Sequence, residues 1–303
     1  MNKVLITGIT GFLGSHIAER LISKHIAVVG LKRPGSDIWR CREFEAQVNW
    51  VDIDPEGEYQ QSILTSGCDT IIHGAWIGVE AGERENWEQQ SKNVFFLIKL
   101  LELANAAGIR KIIFLGSQAE YGYTHGKVTE DHPGEAINAY GGVKLACLEI
   151  LKSFCKSNQI DWIWLRIFSI FGEKENGNWL IPSLVKKMNE GGSMDFTAGE
   201  QKYAYLYVKD FSELIFKIVS MPIASGIYNI SSTQSRSIRS LIEEVRDFIA
   251  PTFQLKFGTL NYRPGQSMHM EGDMHKLTAQ IGDVTFTDFN VALHNTLTYY
   301  LNN

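Results

Sequence analysis

Short apolar runs alternate with stretches of helical period through the first half of this chain, and the alternation sets its expected architecture. Lys3–Thr7, Ala27–Leu31, Thr70–His73, Lys111–Leu115 and Asp161–Ile167 read as strands, with a further one near Tyr205–Val208. Between them, Leu13–Lys24, Ser91–Ala107 and Tyr140–Asn158 carry apolar residues at helical spacing. The strands are mostly apolar along their length, as they are when helices cover both faces of a parallel sheet. Strand and helix in alternation predict βαβ units and a doubly wound α/β fold. Beyond Phe171 the pattern loosens into a Gly/Asn-rich loop at Glu173–Asn178, a helix at Pro182–Asn189 and another near Ser237–Ile249. No Pro- or Gly-rich linker separates the halves, so the C-terminal part is expected to pack over the mouth of the first and leave a cleft.

Composition narrows the partners. The 303 residues, 44% of them hydrophobic, suffice for one large domain or two closely joined ones. A net charge of -5, with both signs interspersed, gives no footprint for nucleic acid or an anionic membrane. No apolar run approaches the roughly 18 to 20 residues that span a bilayer. Cys41, Cys68, Cys147 and Cys155 lack metal-ligand spacing, and the N-terminus opens directly on a strand pattern; both point to a reducing cytoplasm. His73, His125, His132, His269 and His275 show no metal-like spacing either, so no metal is expected.

The segment Gly8-Ile9-Thr10-Gly11-Phe12-Leu13-Gly14 follows a strand and opens a helix. That is the context of a dinucleotide site: glycines let the backbone approach the pyrophosphate, and the helix N-terminus offers unpaired N–H groups. The next strand ends in Lys32-Arg33, where an acidic residue would suit a free ribose 2′-hydroxyl. Two cations suit a 2′-phosphate instead, which predicts NADP(H) over NAD. Asp52-Ile53, after a further short strand, is placed to meet the adenine. Gly74-Ala75, after His73, are small enough for a close backbone approach to the cofactor.

Tyr140 and Lys144 stand four residues apart, on one face of a helix. A nearby cation favours the phenolate of a tyrosine whose free pKa is about 10, and Lys144 supplies it. Ser117 follows the strand Lys111–Leu115, at the sheet edge where ligands of open α/β sheets bind. It can donate to a carbonyl oxygen while Tyr140 passes the proton.

Together these motifs resemble those of extended short-chain dehydrogenases/reductases of the nucleotide-sugar epimerase/dehydratase type. The resemblance covers nearly the whole chain. It is carried by TGITGFLG, the HGA strand end, Asn93, GSQAEYG, YGGVK and LRIFSIFG, then by Trp179-Leu180-Ile181-Pro182, Tyr205-Leu206-Tyr207-Val208-Lys209-Asp210, and Arg263-Pro264-Gly265 followed by Asp273. It implies a Rossmann domain over residues 1–171, with a return segment at about 203–230, and a smaller substrate-binding α/β region over 172–303, interleaved with the first. It also implies a Ser117, Tyr140, Lys144 catalytic set, with Tyr140 and Lys144 meeting the cofactor and Lys144 holding the nicotinamide ribose. The nucleoside-diphosphate sugar would lie over Ser169, Asn178, Trp179 and Leu180, with Arg263 at the diphosphate. Trp76 and Gln118 are further candidates for the sugar pocket. The helices at Ser91–Ala107 and Tyr140–Asn158 match those that form a four-helix homodimer interface in the family.

Departures from the family pattern choose among its activities. Sugar 4,6-dehydratases carry an Asp-Glu pair after the catalytic hydroxyl, whereas this chain has Gln118-Ala119, and Glu120 comes one position too late. An epimerase recycles a tightly held cofactor, usually NAD, so Lys32 and Arg33 favour a reductase. The Gly199-Glu200-Gln201 and Lys256-Phe257-Gly258 segments are similar to those of reductases that make deoxysugars from nucleotide-linked 4-keto-6-deoxyhexoses. The expected activity is NADPH-dependent reduction at C4 with Tyr140 as general acid. A 4-epimerase is the alternative, and a non-catalytic NADP-binding sensor a third. Tyr203-Ala204 replace a family Arg-Asp, so a phosphate-binding cation is missing there; Lys202, or Lys186 and Lys187, are the available substitutes.

Overall fold

A computed structural model describes residues 3–54, 56–263 and 266–303. Pro264 and Gly265, named among the motifs, lie outside the described residues. Seven parallel strands form the central sheet: β1 (Lys3–Thr7), β2 (Ala27–Lys32), β3 (Val48–Asp52), β4 (Thr70–His73), β5 (Lys111–Leu115), β6 (Asp161–Ile167) and β7 (Gly226–Ile230). Their spatial order is β3-β2-β1-β4-β5-β6-β7. The order reverses direction between β1 and β4, which is where an open sheet of this kind forms its ligand crevice.

Alternate residues of each strand enter different cores, so both faces need apolar side chains. Val4 and Ile6 of β1 join Ile113 and Leu115 of β5 on one face; Leu5, Ile112 and Phe114 face the other. The first face is covered by α1 (Phe12–Ser23) through Ile17, Ala18 and Leu21. The second is covered by α3 (Trp87–Ala106) and α4 (Ala139–Asn158), whose Leu97, Leu100, Leu101 and Ala104, and Val143, Cys147, Leu151 and Cys155, repeat at helical spacing. Between β3 and β4 the chain forms the short α2 (Glu58–Leu64).

The expected strand near Tyr205–Val208 differs from the observed one. Leu206–Tyr207 forms a two-residue strand that pairs with Ile170–Phe171, outside the main sheet. Val208 instead begins a helix, because Val208, Phe211, Leu214, Ile215 and Ile218 repeat at helical spacing and bury one face. β7 then closes the sheet beside β6.

In the C-terminal part α5 (Leu180–Glu190), α6 (Val208–Ser220), α7 (Ile238–Ile249), α8 (His275–Ile281) and α9 (Phe289–Asn302) follow in order. Of these helices, α6 and α8 join α1 in the core on the first face of the main sheet, and the others pack a core of their own. Leu184, Val185, Leu241, Val245, Leu293 and Leu297 join α5, α7 and α9. A small sheet combines Lys127–Val128 of the first half with Lys202–Tyr203, Arg236–Ser237 and His269–Gly272, tying the two regions together. No helix among the described residues is long and apolar enough to cross a membrane.

Candidate active site

The glycine turn sits at the β1/β4 reversal. Gly8 has a left-handed φ of +72°. A Cβ there would lie 2.6 Å from Ala75 N, and one on Gly14 would overlap the Gly8 carbonyl oxygen. The turn is thus closed by chain on one side, and Gly74-Ala75 are held against it: the Ala75 N–H donates to Thr7 Oγ1 at 3.1 Å. Gly11 is the N-cap of α1 and offers no side-chain cap, with Thr10 before it and Phe12 and Leu13 in the first turn. Uncapped N–H groups beside a glycine cradle fit the pyrophosphate of a dinucleotide. Arg40, which no motif singled out, braces the turn by donating to the Lys174 carbonyl at 2.7 Å and the Thr10 carbonyl at 3.5 Å.

At the next strand end the two cations differ. Lys32 and Asp52 are register partners on β2 and β3, and their side chains form an ion pair. Arg33 is exposed and has no carboxylate partner among the described residues. Ile53 is half-buried, its N–H donating to the Lys32 carbonyl at 2.8 Å.

Ser117 follows β5 by two residues and caps a short 3₁₀ turn, Gln118–Tyr121, in a reciprocal box. Ala119 N–H donates to Ser117 Oγ at 3.2 Å, and Ser117 N–H donates to Glu120 Oε1 at 2.7 Å. That box turns Glu120 inward. Its carboxylate is fully buried and accepts from Trp164 Nε1 at 2.9 Å and Arg166 Nε at 2.9 Å. Burial pushes its pKa up while Arg166 pulls it down.

Tyr140 stands in the first turn of α4, behind the Asn138 cap, and is nearly buried. Burial raises its pKa; the charge of Arg84 and the Ser117 hydroxyl draw it back, and Glu120 adds to the rise. Lys144, one turn on, donates from Nζ to the Leu115 carbonyl at 2.8 Å and sits 3.6 Å from the Trp76 ring centroid. Its pKa is pushed down to about 7 by burial, with Glu120 opposing. The Lys144 ammonium is 5.7 Å from the Tyr140 ring centroid, and the Arg84 guanidinium is closer, at 4.9 Å.

The other candidates are only partly brought together. Trp76 packs edge-on against Tyr140 at 5.9 Å and donates from Nε1 to Gln90 at 2.8 Å. Trp179, the N-cap of α5, reaches the same site through Arg84, whose guanidinium is 5.9 Å from its ring. Asn176 Nδ2 donates to Glu80 at 2.7 Å, so the 173–178 loop meets the β4–α3 loop across the site. Asn178 is exposed, Leu180 opens α5, and the Ser169 carbonyl accepts from Leu206 N–H at 2.9 Å. Arg263 is exposed beside Tyr203 and Gln266, and among the described residues it makes no contact with Tyr140 or Trp179. Lys187 pairs with Glu190 at 3.4 Å, which occupies one of the substitute cations on the helix face.

A model of the NAD dependent epimerase/dehydratase family matches residues 4–231. The chain belongs to this family. It is 25% identical over 281 residues to CDP-abequose synthase of Salmonella muenchen, covering 91% of this chain and 90% of that one. It is 25% identical to dTDP-6-deoxy-L-talose 4-dehydrogenase (NAD(+)) of Aggregatibacter actinomycetemcomitans, covering 80% of this chain and 88% of the relative. In fold it superposes with a TM-score of 0.88 on UDP-N-acetylglucosamine 4-epimerase of Methanobrevibacter ruminantium M1, solved with UDP-N-acetylmuramic acid. That pair is 24% identical and covers 99% of this chain and 98% of the other. As a member of the family the chain is an NAD-type oxidoreductase, and its glycine cradle suits the family's cofactor.

One residue that shapes this family member's site, Arg84, escaped the motifs, and another, Glu120, lay within one without its role being read. Arg84 lies in a loop with no periodic signal. Glu120 was legible as the fourth residue of a Ser-x-x-Glu capping box, although the sequence could not show which way its carboxylate would turn.

Proposed function

We propose that this chain reduces the C4 carbonyl of a nucleoside-diphosphate 4-keto-6-deoxyhexose with NADPH. The observation that carries the reading is the pairing of Ser117 and Tyr140 at the sheet edge with no free acid between them. Gln118 and Ala119 cannot exchange protons, and the Glu120 carboxylate is turned into Arg166 and Trp164. Water elimination in the family's manner needs an acid–base pair directly after the catalytic hydroxyl, which Gln118 and Ala119 do not provide, whereas carbonyl reduction needs only a proton donor and a polarising hydroxyl. The relative that acts as a dTDP-6-deoxy-L-talose 4-dehydrogenase works at the same sugar position.

Gly8, Thr10, Gly11, Phe12, Leu13 and Gly14 would hold the dinucleotide's pyrophosphate, with Asp52 and Ile53 at the adenine and Gly74 and Ala75 alongside. Arg33, with Lys32 shared with Asp52, would meet a 2′-phosphate. Bound there, NADPH supplies the hydride. Tyr140 gives its phenolic proton to the C4 oxygen, Ser117 donates a hydrogen bond to that oxygen, and Lys144 holds the nicotinamide ribose. The sugar would be walled by Trp76, Gln118, Ser169, Asn178, Trp179 and Leu180, with Arg263 at the diphosphate. Exposed Phe95 and Ile98 on α3, with Ile150 and Phe154 half-exposed on α4, support a homodimer built on these helices.

A 4-epimerase is the second reading, favoured by the Lys32–Asp52 pair, which removes one free cation from the 2′-phosphate position. A panel of nucleotide-linked 4-keto-6-deoxyhexoses with NADPH separates the two. The reductase oxidises NADPH in step with loss of the ketosugar, and Tyr140→Phe lowers that turnover by at least about a hundredfold. C4 inversion of a nucleotide hexose without net NADPH oxidation would establish the epimerase instead.

A further inference from the structure

Arg84 lies on the loop between β4 and α3 and is fixed from two directions. Its Nε donates to the Val79 carbonyl at 2.9 Å, and its own carbonyl accepts the Tyr140 N–H at 2.9 Å. The loop therefore docks its backbone on the first turn of α4 and lays the guanidinium over the phenol, 4.9 Å from the ring centroid. The same guanidinium faces the Trp179 ring at 5.9 Å. Among the described residues it has no carboxylate partner, so its charge is not neutralised inside the protein.

The groups around the phenol make that charge consequential. Ser117 adjoins it from the end of β5, Trp76 packs edge-on from the end of β4, and Lys144 lies one turn along α4. Glu120, behind the 3₁₀ turn, is the nearby negative charge and opposes ionisation of the ring. Lys144 is held away by the Leu115 carbonyl and the Trp76 face, and burial weakens its hold on its proton. Arg84, always charged, is the steadier cation at this ring.

We propose that Arg84 is a positioning residue for Tyr140, holding positive charge over the phenol so that the ring releases its proton at a lower pH than it would without that charge. The inference rests on the reading of Tyr140 as proton donor. In the reduction the phenolic O–H bond breaks and its proton passes to the carbonyl oxygen, while a reduced nicotinamide dinucleotide supplies the hydride. The phenolate left behind is the species Arg84 stabilises, and solvent reprotonates it. A cation within about 4 to 6 Å shifts such an equilibrium by roughly one pH unit or more.

The test needs no substrate. The phenolate absorbance of Tyr140 is isolated as the difference between the parent protein and its Tyr140→Phe variant. It is titrated over the pH range in which the circular dichroism is unchanged. Arg84→Met, paired with its own Tyr140→Phe control, is expected to move the midpoint up by about one pH unit. Arg84→Lys, which keeps the charge, is expected to stay near the parent. Arg84→Gln, which keeps a donor for the Val79 carbonyl, replaces the Met variant if that one does not fold. The proposal is overturned if the parent ring does not ionise within that range, if the neutral variants leave the midpoint unchanged, or if Lys and Met raise it equally. A chain that turns over no nucleotide-linked ketosugar would sink the reductase reading and leave this titration to be judged by itself.

Discussion

Glu120 and Arg166 form a buried ion pair at 2.9 Å, directly behind the turn that presents Ser117. Arg166 donates from Nε to this carboxylate, its guanidinium lies 4.2 Å from the Tyr121 ring centroid, and its Nη1 has no partner among the described residues, so Glu120 is the carboxylate that balances its charge. Glu120→Gln should leave a buried cation uncompensated and lower unfolding stability by about 3 kcal/mol, read by urea denaturation. Replacing both residues with Met should cost less than the single change. A single variant within about 1 kcal/mol of the parent would show that the pair is not a structural anchor.

Cofactor choice should follow Arg33 more than Lys32. Arg33→Ala is expected to weaken NADPH binding about tenfold, with NADH nearly unaffected, in a fluorescence titration. Lys32→Ala should have the smaller effect, because Asp52 already shares that charge. Equal affinity of the parent for both dinucleotides would remove the case for NADP(H).

Glu175 provides a pH signature of the loop beside the site. It is buried, its Oε2 has no partner, and burial pushes its pKa up to about 8. A carboxyl whose folded pKa is raised contributes stability that is fully present below its unfolded pKa, near 4.5, and lost as pH rises through about 8. Relative to Glu175→Gln, the parent should therefore lose about 1 kcal/mol per pH unit across that window. Parallel stability curves for the two proteins would place this carboxyl in solvent.

The exposed face of α3 predicts assembly. Phe95 is 71% exposed and Ile98 39%, an unusual display on a helix whose other side is core. Phe95→Glu should convert a dimer to a monomer in sedimentation velocity while leaving the melting curve of the monomer cooperative. A parent that sediments as a monomer at all concentrations would reject the dimer.

Much of this architecture is legible in the sequence, because its signals are local. β1, β4, β5 and β6 fall where continuous apolar runs lie, and the major helices fall where apolar residues repeat at helical spacing, within a few residues at their ends. The short strand at Leu206–Tyr207 was harder to place, since it adjoins a helix whose apolar period begins at Val208. A strand of two residues has too little pattern to show a period.

The sequence by itself determined the glycine turn, the strand-end hydroxyl and the spacing that puts Tyr140 and Lys144 on one helix face, all set by a few neighbouring residues. Tertiary structure alone decided what surrounds them. Lys32 meets Asp52 because parallel register makes residues 20 apart opposite one another. Glu120 turns toward Arg166 because β6 brings that guanidinium beneath the turn. Arg84 reaches Tyr140 because a loop without periodicity docks its backbone on α4. Each of these contacts joins segments distant along the chain, and their electrostatics depend on burial that only packing creates.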